Sequence, residues 1–216
     1  MKKVIILNGS PRKNWNTYKM CENFANGVND SGAEAEIINL YDVDFKGCRS
    51  CFACKLKDGK NFGRCGYPDG LTPILDKISQ ADGVVLASPI YFGDITGVTR
   101  SVIERLLFPF LEYKQGMPSI APKKLKTAVI YTMNVNEDLS NKMYQDLFGK
   151  IDMFLEIIFS KPQRICAYDT YQFPDYDKYV CETFDKNLKQ KQRDEQFPKD
   201  LEKAYQAGLN MLKGLI

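Results

Sequence analysis

The fold of this chain is decided close to its start, where residues 4–12 read Val-Ile-Ile-Leu-Asn-Gly-Ser-Pro-Arg. Four consecutive apolar residues are typical of a strand that is buried on both faces, and Gly9 and Pro11 end it abruptly. A helix is expected to begin near Thr17, and the unpaired N–H groups at its start attract anions. The loop therefore predicts an anion site, although a polar turn that only caps the helix is the alternative. The side chains concerned are Ser10, Arg12, Asn16 and Thr17.

Strand-like apolar runs recur along the chain, and each is separated from the next by enough residues for a helix. The runs are residues 4–7, 36–40, 83–87, 127–131 and 164–168. The expected helices are residues 17–31, 71–80, 97–113, 140–159 and 199–213. This alternation predicts a three-layer α/β/α fold with a doubly wound, five-stranded parallel sheet in the flavodoxin-like order 2-1-3-4-5. A dinucleotide-binding fold is the main competitor, but no G-x-G-x-x-G motif follows the first strand.

Length and composition indicate one domain over residues 1–216, because 44% hydrophobic content is ample for one packed core. We expect a cysteine-rich insertion at residues 45–70 and an irregular or helical C-terminal extension at residues 169–216. The net charge of +3 does not favour nucleic acid or an anionic membrane as partner. No apolar segment has transmembrane length, and the first strand is too short for a signal-peptide core. We therefore expect a cytoplasmic protein with neither nucleic acid nor membrane as partner.

The chain contains no histidine. This excludes Ser-His and Cys-His triads, histidine proton shuttles and mixed Cys/His zinc sites. Any reaction must therefore depend on a cofactor or on other side chains.

A second loop follows the third predicted strand, where residues 88–97 read Ser-Pro-Ile-Tyr-Phe-Gly-Asp-Ile-Thr-Gly. Strands 1 and 3 flank the switch point of a doubly wound sheet, so both loops are expected to meet at one crevice. The second loop offers apolar and aromatic side chains and backbone polar groups, which suit the face and edge of a flat ring. A phosphate at one end of the crevice and a planar heterocycle at the other describe FMN.

With these motifs the chain resembles the NAD(P)H-dependent FMN reductases of the flavodoxin-like superfamily, especially the branch that contains iron-sulfur flavoproteins. The resemblance covers about the first half of the chain and rests on residues 9–12, 16–17 and 88–94, on Gly97 and Arg105, and on Gly47, Cys48, Cys51 and Cys54. It implies that the FMN phosphate contacts Ser10, Arg12, Asn16 and Thr17. It implies that the ring contacts Pro89, Ile90, Tyr91, Phe92, Gly93 and Asp94, with the loop Thr132-Met133-Asn134 nearby.

Four cysteines cluster as Cys48-x2-Cys51-x2-Cys54 followed by Cys65. Four thiolates can bind a four-iron cluster or a tetrahedral zinc, and the resemblance suggests the 4Fe-4S cluster. Ten residues separate Cys54 from Cys65, a longer gap than the iron-sulfur pattern uses. Free or redox-active thiols, an iron-sulfur cluster and zinc therefore all remain open. The isolated residues Cys21, Cys166 and Cys181 are expected to be buried.

We therefore predict an FMN-dependent oxidoreductase that takes electrons from NAD(P)H and passes them to a quinone, flavin, nitro compound or redox partner. No side chain is assigned as catalytic, because FMN carries the chemistry. The alternative is an FMN and iron-sulfur electron-transfer flavoprotein without a small-molecule substrate. The resemblance also implies a homodimer or homotetramer. The aromatic segment at residues 168–184 is the candidate interface, or else the edge of a pocket, and an ordinary solvated loop and helix is the alternative.

Overall fold

The computed structural model describes residues 1–214 and has a central sheet. Its strands are β1 (Lys3–Asn8), β2 (Glu34–Asn39), β3 (Gly83–Tyr91), β4 (Asp94–Ile95), β5 (Lys126–Thr132) and β6 (Gln163–Ala167). Five of them are parallel in the order β2-β1-β3-β5-β6, and β4 pairs antiparallel with the end of β3. Counting the parallel strands alone, this is the predicted order 2-1-3-4-5, so the flavodoxin-like α/β fold is confirmed.

Helices cover both faces of the sheet. They are α1 (Asn16–Asp30), α2 (Thr72–Gln80), α3 (Gly97–Leu107), α4 (Glu137–Met143), α5 (Gln145–Ile158), α6 (Lys186–Lys191) and α7 (Phe197–Asn210). Short 3-10 turns lie at Leu40–Asp42, Phe108–Phe110 and Tyr176–Lys178, and a π-helical turn at Gln192–Gln196 joins α6 to α7. None of the helices within residues 1–214 combines the length and the apolar character that crossing a bilayer requires.

The first strand is apolar throughout because both of its faces are covered. Val4 and Ile6 belong to a core cluster with residues of α1 and α7. Ile5 and Leu7 belong to a second cluster with residues of α2, α3 and α5. Alternate side chains of a strand point to opposite faces, so a strand between two helical layers needs no polar positions.

Two predicted helices differ from the observed ones by more than three residues at one end or are divided. The helix expected over residues 97–113 ends at Leu107, and Pro109 then sits in the 3-10 turn that follows. Proline has no N–H to continue a helix and restricts the residue before it. The helix expected over residues 140–159 begins earlier, where Asn136 caps Leu139 N–H, and it is divided at Tyr144, whose backbone is not helical (φ −119°, ψ 3°).

The third strand continues four residues beyond its predicted end at Ala87. Its last residues pair with β5, with Pro89 opposite Thr132, and then with β4. Phe92 and Gly93 form the two-residue hairpin turn between β3 and β4, with φ of 50° and 78°. Positive φ at both positions is what a tight hairpin of this kind requires.

Candidate functional site

The loops that follow β1 and β5 converge with the last residues of β3 at the carboxyl edge of the sheet, where they line a crevice of about 130 Å³. This is the switch point of the doubly wound sheet, because β1 and β3 are neighbours while their connections leave toward opposite sides. Eight of the eleven residues expected to contact FMN line this crevice. They are Ser10, Arg12, Asn16, Thr17, Pro89, Ile90, Tyr91 and Thr132.

The polar end of the crevice is tied together by its own side chains. Asn8 Oδ1 accepts a hydrogen bond from Ser10 N–H at 3.2 Å, and Ser10 Oγ accepts one from Arg12 N–H at 3.2 Å. The hydroxyls of Thr17 and Thr132 lie 2.7 Å apart and are both buried. Contacts within the chain therefore order the hydroxyls of Ser10, Thr17 and Thr132.

The start of α1 suits an anion. Its N-cap residue is Trp15, which supplies no side-chain cap, and its first turn contains no acidic residue. The N–H groups of that turn and the helix dipole therefore face the crevice without a competing carboxylate. Partial burial lowers the pKa of Arg12, against the opposing influence of Tyr91 and Tyr179, but a guanidinium stays protonated at neutral pH.

The apolar end of the crevice is formed by Pro89, Ile90 and Tyr91 at the end of β3. The next three predicted residues lie outside its lining. Phe92 projects fully into solvent from the hairpin turn, next to Gly93. Asp94 accepts hydrogen bonds from Arg100 at 3.2 Å. A bulky residue with positive φ is uncommon, and such strain concentrates at functional sites.

Close contact between the first two loops depends on Gly9. Its N–H donates to Ala87 O at 2.8 Å, and its carbonyl accepts from Thr96 Oγ1 at 2.8 Å. A Cβ atom at this position would lie 1.9 Å from Thr99 Oγ1 and 2.9 Å from Ala87 O. The sequence identified Gly9 as the end of a strand, but not as the residue that lets the two loops meet, and it did not point to Thr96 or Thr99.

The remaining wall of the crevice comes from the segment after β6, which supplies Thr170 and Gln172. Tyr171 O accepts hydrogen bonds from Trp15 Nε1 and Asn16 Nδ2, and Gln172 O accepts one from Arg12 Nη1. The contacts of the aromatic segment within this chain therefore fit the edge of a pocket. In the sequence, only the abundance of aromatic residues indicated this segment. No motif identified its hydrogen bonds to Arg12, Trp15 and Asn16.

The cysteine loop, residues 45–70, is irregular throughout. Cys48 and Cys51 are exposed, Cys54 is buried and Cys65 is intermediate. All four border one small void of about 20 Å³ beside α3. Within residues 1–214, however, no three cysteine or acidic side chains are arranged to hold a metal ion. The fold thus gathers the four thiols along one cavity without bringing them to a common centre.

Arg105 of α3 anchors this loop, and its side chain is almost completely buried. Its guanidinium donates to Cys65 Sγ at 3.3 Å, to Lys46 O and Tyr67 O at 2.9 Å each, and to Asp69 Oδ2. Burial opposes the charge of Arg105, but its hydrogen bonds to Asp69 and Cys65 raise its pKa overall. The pKa of Asp69 is lowered in spite of burial, because Arg105 and backbone N–H groups bond its carboxylate.

The other cysteines lie apart from this loop. Cys21 is buried in α1, and burial raises the pKa of its thiol, as expected for an inert core residue. Cys166 and Cys181 are only partly buried, which differs from the expectation of full burial. Burial also raises the pKa of the Cys54 thiol within the cysteine loop, although Lys55 acts in the opposite direction.

The sequence is similar to curated iron-sulfur flavoproteins. One from Archaeoglobus fulgidus is 41% identical over 103 residues, covering 48% of each protein. One from Methanocaldococcus jannaschii is 35% identical over 103 residues, covering 48% of this chain and 51% of the relative. The chain thus spans about half the length of the curated relatives that it matches.

The fold is similar to that of several solved reductases. An NAD(P)H:quinone oxidoreductase from Methanothermobacter marburgensis superposes with a TM-score of 0.71 at 14% identity, covering 97% of this chain and 98% of that one. An azoreductase from Bacillus anthracis superposes with a TM-score of 0.66 at 16% identity, covering 97% and 100%. At this identity the likeness shows the fold alone.

The family model that matches the chain describes NADPH-dependent FMN reductases and spans residues 2–134. That range contains β1, β3 and β5 together with every residue that lines the crevice except Thr170 and Gln172. It also contains the cysteine loop, and it ends just before α4. The chain belongs to the NADPH-dependent FMN reductase family.

Proposed function

We propose that this protein is an FMN-dependent oxidoreductase that takes electrons from NAD(P)H and passes them to a quinone, flavin, nitro compound or redox partner. The observation that carries the proposal is the crevice, in which a polar loop at an uncapped helix start faces an apolar strand end. Those two surfaces match the phosphate and the ring of FMN. Membership of the FMN reductase family supports the same assignment.

The phosphate end would be held by Ser10, Arg12, Asn16 and Thr17, together with the N–H groups at the start of α1. Arg12 supplies the positive charge and the hydroxyls supply neutral donors, which is the usual composition of a phosphate site. When bound, FMN supplies the hydride and electron chemistry that the side chains lack.

The ring end would be formed by residues 89–94, through side-chain contacts and backbone polar groups. Tyr91 is 44% exposed and Phe92 is fully exposed, so aromatic surface flanks the open side of the crevice. These residues would orient the flavin. None is placed as a general acid or base, and all residues named for this site stay predictions.

FMN titration of the apoprotein, followed by NADPH and NADH consumption with a quinone acceptor, tests the proposal. Arg12→Ala should weaken FMN binding about 10- to 100-fold, because it removes a charged donor to the phosphate, and should change riboflavin binding little. Arg64→Ala is the matched control, since Arg64 forms an exposed ion pair with Asp76 instead. A protein that takes up no flavin would contradict the proposed function.

A 4Fe-4S cluster on Cys48, Cys51, Cys54 and Cys65 is a further part of the proposal. Four thiols border one cavity, with the Arg105 guanidinium on Cys65 Sγ, and four thiolates are the usual ligand set of such a cluster. Iron and sulfide analysis of protein purified without oxygen tests it. Two or fewer irons per chain would contradict the four-iron cluster, zinc in place of iron would favour a zinc site, and absence of both would favour redox-active thiols.

The same cysteine cavity favours a second candidate function, an FMN and iron-sulfur electron-transfer protein without a small-molecule substrate. Steady-state kinetics separate the two functions. If a reduced protein donor reduces the flavin and NAD(P)H does not, the result would favour the electron-transfer protein.

A homodimer or homotetramer stays a prediction that light scattering can check. A cytoplasmic location also stays a prediction, supported by the seven free cysteines of the described residues.

A further inference from the structure

We propose that residues 170–175, which we name the strap, position Arg12 and Asn16 for a phosphate group and thereby set a preference for FMN over riboflavin. This inference rests on the FMN site proposed above and extends it to residues outside the range of the family match. The strap lies after β6, and its residues Thr170 and Gln172 line the crevice.

Two backbone carbonyls of the strap hold the two phosphate-binding candidates. Gln172 O accepts from Arg12 Nη1 at 2.6 Å, and Tyr171 O accepts from Asn16 Nδ2 at 2.9 Å. The Arg12 guanidinium also lies over the Trp15 ring, 3.9 Å from its centroid, and Trp15 Nε1 donates to Tyr171 O at 3.2 Å. The strap therefore determines the direction in which both side chains point.

These contacts leave donors for an anion. A guanidinium has five N–H groups and a side-chain amide has two, and the strap uses one from each residue. Ordering a long side chain costs free energy, and a side chain that is already ordered binds its ligand more tightly. The strap thus acts as a positioning element and does not block the site.

The strap is itself held from behind by Tyr176, which is 7% exposed. Its hydroxyl accepts from Gln172 N–H at 3.0 Å, and its ring packs edge-on against Tyr171 at 5.0 Å and Phe173 at 5.2 Å. Arg193 also covers the ring of Tyr171, with 4.8 Å between the guanidinium carbon and the ring centroid. Tyr176 and Arg193 therefore control Arg12 and Asn16 without lining the crevice themselves.

FMN and riboflavin distinguish positioning from general support of the fold, because they differ only in the phosphate. Dissociation constants for both are measured by flavin fluorescence quenching on the full chain. Tyr176→Phe keeps the ring and removes one hydrogen bond, so FMN binding should weaken about three- to tenfold. Riboflavin binding should stay within about twofold. Tyr176→Phe is expected to act on the phosphate through Arg12 and through Asn16. In an Arg12→Ala background only Asn16 remains, so the effect of Tyr176→Phe on FMN binding should be smaller.

The matched control is Tyr205→Phe, which also removes one tyrosine hydrogen bond, to Asp30, far from the crevice. Arg193→Leu is the second variant. If Tyr176→Phe does not fold, Arg193→Leu should show the same weakening of FMN binding with riboflavin binding unchanged. Equal weakening of both flavins, or no change in either, would overturn the positioning role while leaving the FMN site intact. Wild-type protein that binds neither flavin would overturn the proposed function as well.

Discussion

The crevice and the cysteine loop both contain irregular segments, but they are supported in different ways. The crevice is bordered by three strands in fixed register, with Asn8 opposite Ala87 and Pro89 opposite Thr132. The cysteine loop has no strand or helix of its own and converges on one buried guanidinium. A site supported by backbone pairing should tolerate loss of a single side chain better than a loop attached through Arg105.

Arg105→Met should have the largest effect, because it removes the donor to four loop residues and leaves Asp69 without its cation. We expect a loss of about 3–5 kcal/mol in the free energy of unfolding, the usual cost of breaking a buried pair on one side. The Cys54 thiol, now 7% exposed, should also become reactive. Urea denaturation and thiol titration with Ellman's reagent measure both.

Arg100→Met is the control, because Arg100 pairs with Asp94 at the surface and should cost less than about 1 kcal/mol. If Cys54 stayed unreactive in Arg105→Met, other contacts would hold the cysteine loop. That result would contradict the claim that the loop depends on one side chain more than the crevice does.

Gly9→Ala tests the crevice in the same way. The added Cβ would clash with Thr99 Oγ1 and the Ala87 carbonyl, so we expect up to about 3 kcal/mol of destabilisation together with weaker FMN binding. Gly97→Ala is the control, since no atom lies within 4 Å of its added Cβ. Thermal unfolding and FMN titration of both variants measure the effect. Unchanged FMN affinity in Gly9→Ala would mean that close contact of the two loops is not required.

Asp69→Asn tests whether the negative charge of Asp69 stabilises the cysteine loop. The folded-state pKa of Asp69 is lowered, so its carboxylate contributes stability above the ordinary pKa of about 3.9. That contribution is lost as pH falls through the lower folded-state pKa. At pH 7 the variant should be about 2 kcal/mol less stable than the wild type. Denaturation curves between pH 7 and pH 3 should show the two proteins converging in acid; a constant gap would count against the charge as the cause.

Phe92→Asn should have the smallest effect, and in the stabilising direction. Phe92 has φ of 50° and is fully exposed, whereas asparagine accepts this conformation readily. We expect a gain of about 1 kcal/mol in the free energy of unfolding. Phe62→Asn is the control, at an exposed phenylalanine without positive φ. Calorimetry measures the gain, and a loss of stability would show that the Phe92 ring makes contacts that outweigh the strain.

Much of the fold was predictable because its signals are local. The apolar run at residues 4–7 needs two covering layers, and alternation of strands with helix-length segments indicates a parallel sheet. Topology then brings the loops after the first and third strands to one edge. Eight of the eleven predicted cofactor-contacting residues accordingly line one crevice. The end of α3 was predicted too late, at residue 113, although Pro109 marks the end at Leu107.

Other features could not be read from local pattern. The role of Arg105 depends on partners from Lys46 to Asp69, which lie 36–59 positions away. The strap contacts Arg12 and Asn16 across 160 and 155 positions. Every residue has a backbone carbonyl that can accept a hydrogen bond. The residue type therefore does not indicate which carbonyls Arg12 and Asn16 bind.

The sequence by itself determined the layered α/β fold, the order of its strands and the loops that meet at the crevice, because apolar periodicity and turn residues act over a few positions. Only the tertiary structure decided what supports each region. Gly9 is required because two backbones touch there, Arg105 because a loop without secondary structure needs an anchor, and Tyr176 because the strap must reach the start of α1. Those requirements arise when distant segments pack, and packing brings together groups that the sequence keeps apart.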